Sequence, residues 1–436
     1  MGHRLPPLVS ERLGALSERP IEPTEKGFGT LAAAGRVSAA SLAAARPSLH
    51  AAGFGYPLLT VREPALRNNL AAMAAYCARA GVGLAPHGKT AMSPELAGLQ
   101  LAHGAWGITV ATIGQLQAYR AFGFPRLLLA NELVDAPGIA WLARELAADP
   151  GFEAYCYVDS LDGVAILDRE LGRHRAGRRL PVLVEIGHAG GRTGCRTDAG
   201  ALEVAKAADA TGTLTVAGVA GYEGNIRGET QAETLDLVAA FCRRLRGLAD
   251  AVAAAIGTGS GRDELIATAG GSVSFDVVAR ELTVPGAVPV RVILRSGCYL
   301  THDHGIYARA SPAARGAAGA PELVPALELW AQVLSRPEPE LALLGAGRRD
   351  VGFDAGFPVP LRALRHDGSR SDPEGWQVTG LNDQHAYLQV PNDAALAPGD
   401  LVCLGISHPC TTLVKWRVLV MRNDDDRVIG AVHAFF

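Results

Sequence analysis

The sequence predicts a (β/α)8 TIM-like barrel followed by a mainly antiparallel β-domain. Three observations carry that expectation. Short apolar, β-branched runs alternate with Ala/Leu-rich stretches of helical period, which signals parallel βα units. Eight such runs fit between residues 82 and 297, the size of one barrel. After residue 310 the texture changes to short alternating runs broken by turn residues, as in antiparallel β-structure.

The eight candidate strands are 82–87, 107–112, 126–132, 153–159, 181–187, 214–224, 264–270 and 290–297. A helical stretch follows each of the first seven, for example Pro94–His103, Ile113–Phe122 and Ala232–Ala255. An open doubly wound sheet would show the same alternation, and the count of eight favours the closed barrel. Residues 56–309 are assigned to the barrel domain, with YPLLTVRE (56–63) and a helix ahead of its first strand. ASPAARGAAGAP (310–321) reads as a connector at the start of the β-domain, 310–436. The first 55 residues form an extension expected to pack on that domain.

Of the 436 residues, 48% are hydrophobic and 19% charged, enough for a large core and against global disorder. With 41 basic and 44 acidic residues the net charge is -3, so no global basic footprint points to nucleic acid or an anionic membrane. Seven scattered cysteines are too few for a disulfide framework, and an odd count leans to a reducing compartment. The N-terminal stretch has no signal-like apolar run, and no 18-residue apolar stretch is free of charge or Gly/Pro. The expectation is a cytoplasmic protein with neither a nucleic-acid nor a membrane partner.

Four motifs could carry chemistry. APHGKT (85–90) ends the first barrel strand, at the face where barrels hold their sites, so Lys89 would point into the mouth as a partly desolvated nucleophile. TAGGSVSFD (268–276) and RSGCY (295–299) are Gly-bearing loops after strands seven and eight, the usual phosphate position in barrels. EIGHAGGRTGC (185–195) places Arg192 in a glycine-rich turn, and GYEG (221–224) places Tyr222 where it could cover a flat ring. GISHPCTT (405–412) sets His408 and Cys410 around a stiff proline; imidazole plus thiolate suits zinc better than magnesium or manganese. Asp383 and His385 of LNDQHA (381–386) are further candidates by proximity in sequence.

These pieces, in this order, resemble the D-serine dehydratase and D-threonine aldolase family, fold-type III pyridoxal phosphate enzymes whose barrel is shared with alanine racemase. Within it the chain looks most like the bacterial proteins called amino acid deaminase or D-serine deaminase-like. The resemblance covers about residues 56–436 and is most specific at PHGKT and SHPCTT. It implies that Lys89 binds pyridoxal phosphate covalently and that Arg192 contacts the cofactor's phenolic oxygen. Tyr222 would lie near the ring. Gly270, Gly271, Ser272, Gly297, Cys298 and Tyr299 would belong to the phosphate loops. Arg295 aligns with the racemase arginine that faces the pyridine nitrogen. His408 and Cys410 would hold zinc, whereas the aldolases tend to carry His and Asp and to use manganese. The chain departs from the family at Asn382-Asp383-Gln384-His385, where an amide replaces an acidic side chain. The implied activity is dehydration and deamination of a β-hydroxy D-amino acid by a homodimer. Aldol cleavage and racemisation are the alternatives.

Overall fold

The computed structural model describes residues 3–257 and 264–436. Strand β1 spans Leu58–Arg62. The parallel barrel strands follow as β2 (Gly83–Leu84), β3 (Ile108–Val110), β4 (Arg126–Glu132), β5 (Glu153–Val158), β6 (Leu180–Ile186), β7 (Leu214–Gly221), β8 (Leu265–Ala269) and β9 (Val290–Leu294). Their order is β2-β9-β8-β7-β6-β5-β4-β3. The ring closes where Thr109 N–H donates to Pro86 O (3.0 Å) and Trp106 N–H to Leu84 O (2.7 Å). This is the eight-stranded, TIM-like barrel that the alternation predicts.

Alternation along each strand explains why both faces are apolar. In β6, Leu183 points into the barrel with Leu128, Tyr157, Ile266 and Ile293, while Val182 and Val184 join the core under the helices. Side-chain caps start many of the barrel helices: Thr112, Asp135, Ser160, Thr197 and Thr230 each accept an N–H from the first turn. The first barrel strand is shorter than the apolar run 82–87. Pro86 has no N–H to donate, and the chain turns at once into the Gly88–Thr90 helical turn that presents Lys89.

The C-terminal part contributes β10 (Leu327–Glu338), β11 (Leu341–Leu344), β12 (Val359–Leu364), β13 (Arg370–Ser371), β14 (Gln377–Leu381), β15 (Ala386–Gln389), β16 (Leu401–Gly405), β17 (Val418–Arg422) and β18 (Val428–His433). Their order is β13-β12-β16-β10-β1-β17-β18, with β11, β15 and β14 extending from β10. Residues 58–62, read as a lead-in to the barrel, are therefore an interior strand of this sheet. β1 runs antiparallel to β10 (Leu58 opposite Trp330) and parallel to β17 (Thr60 opposite Val420).

The N-terminal extension does not pack on the β-domain as a unit. Helix Pro7–Ser17 lies against barrel helix Pro94–Ala102, and His3 N–H donates to Ala102 O at 2.7 Å. Helix Ala39–Ala45 lies on β18, and Phe28, Leu42 and Leu49 join Trp330 and Val420 in one apolar cluster. Among the described residues no helix is long and apolar enough to cross a membrane.

Candidate active site

The turn after β2 brings Lys89 into a cavity of about 160 Å3 at the C-terminal mouth of the barrel. His87, Asn131, Tyr157, Glu185, Arg192, Tyr222, Gly270 and Arg295 share its wall. Lys89 is open to the cavity, yet surrounding protein desolvates its amine and lowers its pKa. The positive charges of Arg192 and Arg295 act in the same sense, and Cys410 and Cys298 oppose them. His87 is held neutral, its pKa far below the usual value, first by burial and then by the cations of Lys89, Arg295 and Arg192. Its Nδ1 is buried without a partner.

Arg192 rides on the turn after β6. That turn is pinned where Gly194 N–H donates to Asp159 Oδ2 (2.9 Å). The Arg192 guanidinium lies 4.1 Å from the Tyr222 ring centroid, so the two residues taken from separate motifs stack on each other. Arg295 is buried and spends its donors on the barrel wall, on Thr268 Oγ1 and Gly221 O, both at 2.7 Å.

The loops after β8 and β9 meet behind Lys89. Gly270 has φ 149°, and a Cβ there would lie 2.6 Å from Arg295 N, so only glycine allows the approach. The Gly270 and Gly271 N–H groups donate to the buried carboxylate of Glu223 (3.1 and 2.5 Å). Among the described residues no protein acceptor takes the amides of Ser272, Gly297 or Cys298. The buried Tyr307 hydroxyl approaches Ser272, and among the described residues it makes no well-formed hydrogen bond. Tyr299 is turned into the core, where its hydroxyl accepts from Gln100 Nε2 (3.1 Å), so it can offer the loop only its backbone.

Pyridoxal phosphate is the group the resemblance implies, and these residues fit it. A lysine of lowered pKa opens on the cavity, and a cationic arginine and a tyrosine stand in its wall. Free amides and an orphaned hydroxyl lie where an anion would be held. Ser272, Gly297, Cys298 and Tyr307 would hold the phosphate, with Gly270 and Gly271 shaping the loop through Glu223.

β16 ends at Gly405 and leads to His408, which precedes the short helix Pro409–Leu413. His408 Nδ1 meets Asp354 Oδ2 at 2.6 Å, and Thr411 Oγ1 donates to Asp354 Oδ1 at 2.6 Å. Cys410 Sγ lies 3.5 Å from Cys298 Sγ and 3.6 Å from Thr90 Oγ1. Hydrogen bonding to Cys298 and then to His408 and Thr90 brings the Cys410 thiol down to about 4. The Cys410 thiolate and Asp354 push His408 up to about 9. Thiolate character at Cys410 beside a histidine that can give up its proton to a metal makes a donor set that fits a borderline-soft ion such as zinc, with Asp354 orienting the imidazole. As two ligands they leave positions for water or substrate.

Asn382–His385 lie elsewhere, in the exposed turn between β14 and β15. Asp383 pairs with Arg349 at 3.5 Å there, and none of the four lines the cavity. Sequence reasoning missed His87, Thr90, Glu223, Tyr307 and Asp354. The first three sit inside motifs already singled out; Tyr307 and Asp354 carry no local signal.

The fold and site define a class: alanine racemase-type barrels that carry a serine dehydratase domain. Residues 61–260 match the alanine racemase N-terminal domain, and residues 326–422 match the putative serine dehydratase domain. The chain thus carries matches to both domains, in that order along the sequence. Among individual relatives, D-threonine aldolase of Arthrobacter sp is 27% identical over 85% of this chain and 91% of its own length. The crystal structure of D-threonine aldolase from Filomicrobium marinum superposes with a TM-score of 0.72 at 24% identity, covering 88% of this chain and 95% of the other. D-threo-3-hydroxyaspartate dehydratase from Delftia sp. HT23 gives 0.66 at 22%, covering 89% and 99%. Two variant structures of an enzyme of that name replace a histidine and, two positions on, a cysteine by alanine, the latter in a metal-free form.

Proposed function

We propose that the protein is a pyridoxal phosphate- and zinc-dependent lyase that converts a β-hydroxy D-amino acid to a 2-oxo acid and ammonia, working as a cytoplasmic homodimer. The observation that carries the reading is Cys410 Sγ at 3.6 Å from Thr90 Oγ1, the residue next to Lys89. It supports the reading by bringing Cys410, one of the two residues proposed to bind the metal, close to the lysine of the barrel. Bound pyridoxal phosphate supplies an electron sink that acidifies the substrate's Cα–H. Lys89 Nζ, its pKa lowered by burial, is the base for that proton. Arg192 and Tyr222 form one wall of the cavity and orient what lies between them and Lys89. His408 and Cys410 would hold zinc, which supplies Lewis acidity to a departing β-hydroxyl. Asp354 keeps the imidazole of His408 turned for that task.

The histidine–cysteine spacing shared with the 3-hydroxyaspartate dehydratase variants supports elimination. A second reading, cleavage of Cα–Cβ to glycine and an aldehyde, is supported by the D-threonine and 3-hydroxy-D-aspartate aldolases, at 27% and 26% identity. Product analysis of the purified holoprotein with D-serine, D-threonine and 3-hydroxy-D-aspartate separates the two. Elimination gives 2-oxo acid plus ammonia, and Cys410→Ala should stop it while the bound cofactor's absorbance stays. Glycine plus aldehyde, or the L-enantiomer, would overturn the dehydratase reading.

A further inference from the structure

Three acidic side chains converge in the barrel mouth and have no part in the chemistry above. Glu132 ends β4, Asp159 follows β5 and Glu185 lies on β6. Register brings them together: Glu132 is opposite Tyr157, and Tyr157 is opposite Leu183, two residues before Glu185 on the same face. One carboxylate oxygen from each lies within 4.8 Å of the other two.

The cluster is buried and short of partners. Glu185 is 4% exposed. Both carboxylate oxygens of Glu132 and Oε2 of Glu185 are shielded from solvent, and among the described residues no N–H or hydroxyl donates to them; Glu132 and Glu185 face only each other. The hydroxyl of Tyr157, a residue 2% exposed that stands between them in register, is an orphan too. Among the described residues no Lys, Arg or His pairs with any of the three. Among the described residues the Asp159 side chain accepts only the Gly194 N–H. Buried carboxylates without donors are costly, and a bound ion removes that cost. Burial and the neighbouring Glu185 push the Glu132 carboxyl up to about 8, as expected where a positive charge is missing.

We propose that Glu132, Asp159 and Glu185 form a second cation site, selective for a hard divalent ion (Mg2+, Mn2+ or Ca2+), with the Tyr157 hydroxyl and water completing its shell. All donors are oxygen, which sets this site apart from the thiolate–imidazole pair. Oxygens within 4.8 Å of one another lie within about 2.8 Å of a common centre, so small side-chain movements bring them to the roughly 2.0–2.6 Å at which hard cations bind oxygen. The ion would tie β4, β5 and β6 together. Through Asp159 it would hold the turn that carries Arg192, so it acts as a positioning element for the cavity.

The test is Mn2+ binding to holoprotein stripped with chelator, read from the electron paramagnetic resonance of free Mn2+. Cys410→Ala serves as the background, so that the softer pair is disabled. The expected result is one Mn2+ per chain, displaced by Mg2+ or Ca2+, with binding weakened at least about tenfold in Glu132→Gln and in Glu185→Gln. Circular dichroism of the metal-free variants checks that they fold, and Asp159→Asn stands in for either that does not. Absence of Mn2+ binding would overturn the site, because the two glutamates then merely share a proton. Binding that none of these substitutions alters would overturn it equally. Both outcomes are independent of which products the enzyme makes.

Discussion

Replacing Gly297 by alanine tests how closely the loops around the cavity must approach. A Cβ at this position would lie 2.6 Å from His87 O, 2.8 Å from Thr90 Oγ1 and 3.0 Å from His87 Cβ. Non-bonded carbons settle near 3.5–4.0 Å, so the loops after β2 and β9 must part by roughly 1 Å. Backbone and buried side chains stand on the far side, and no flexible end is there to yield. Overpacking of this kind costs about 1–3 kcal/mol. The same shift would carry the amides of Gly297 and Cys298 away from the phosphate they are proposed to hold. Losing one hydrogen bond to a charged group is worth roughly 1.5–3 kcal/mol, or about 10- to 150-fold in affinity. The assay is titration of cofactor-free protein with pyridoxal phosphate, followed by quenching of protein fluorescence. Gly212→Ala is the control, because nothing lies within 4 Å of its added Cβ. Gly212→Ala should bind as the parent does, and Gly297→Ala should bind at least about tenfold more weakly, with a Tm a few degrees lower. A Gly297→Ala protein that binds the cofactor as tightly as the parent would refute the reasoning.

Lys89→Ala should leave no pyridoxyl-lysine peptide after borohydride reduction; a labelled peptide at Lys26, Lys206 or Lys415, the other lysines of the chain, would contradict its role. Arg192→Ala should keep the cofactor, since the phosphate is held elsewhere, and shift its absorption maximum; loss of all cofactor would move Arg192 into the binding set. Asp354→Asn should weaken zinc binding about 10- to 100-fold in competition with a chromogenic chelator, because the imidazole of His408 loses its orienting carboxylate. Asp303 is buried and its carboxyl is pushed up to about 6, so the folded protein holds this proton where the unfolded chain, near 3.8, has released it. Stability therefore falls as pH rises from about 4 to 6, by on the order of 2–3 kcal/mol. Asp303→Asn keeps the acceptor for the Gly305 and Tyr307 N–H groups and removes that fall, so its Tm should gain on the parent's across this range. Parallel Tm curves for the two proteins would show the carboxyl to be ionised throughout.

Local pattern alone determined the barrel. Each βα unit writes its own period, and the Ser, Thr and Asp caps at Thr112, Asp135, Ser160, Thr197 and Thr230 mark helix starts without help from distant residues. Barrel geometry then puts strand ends at one mouth, which is why Lys89, Arg192, Tyr222 and Gly270 could be nominated together from motifs 181 residues apart at most and do share one cavity. The pair His408 and Cys410 was legible because both residues sit on one short segment. Tertiary structure decided the rest. β1 joins a sheet whose other strands begin some 260 residues later, a pairing that no local period encodes. Asp354 reaches the site from a loop and Tyr307 from the short helix Ile306–Ala310, neither with a local signature, and Tyr299 is turned away from it by packing against Gln100. Glu132, Asp159 and Glu185 read singly as polar strand ends. Only the register of β4, β5 and β6 brings their carboxylates together, because side-chain neighbours across a sheet are set by strand pairing, which one strand's sequence does not specify.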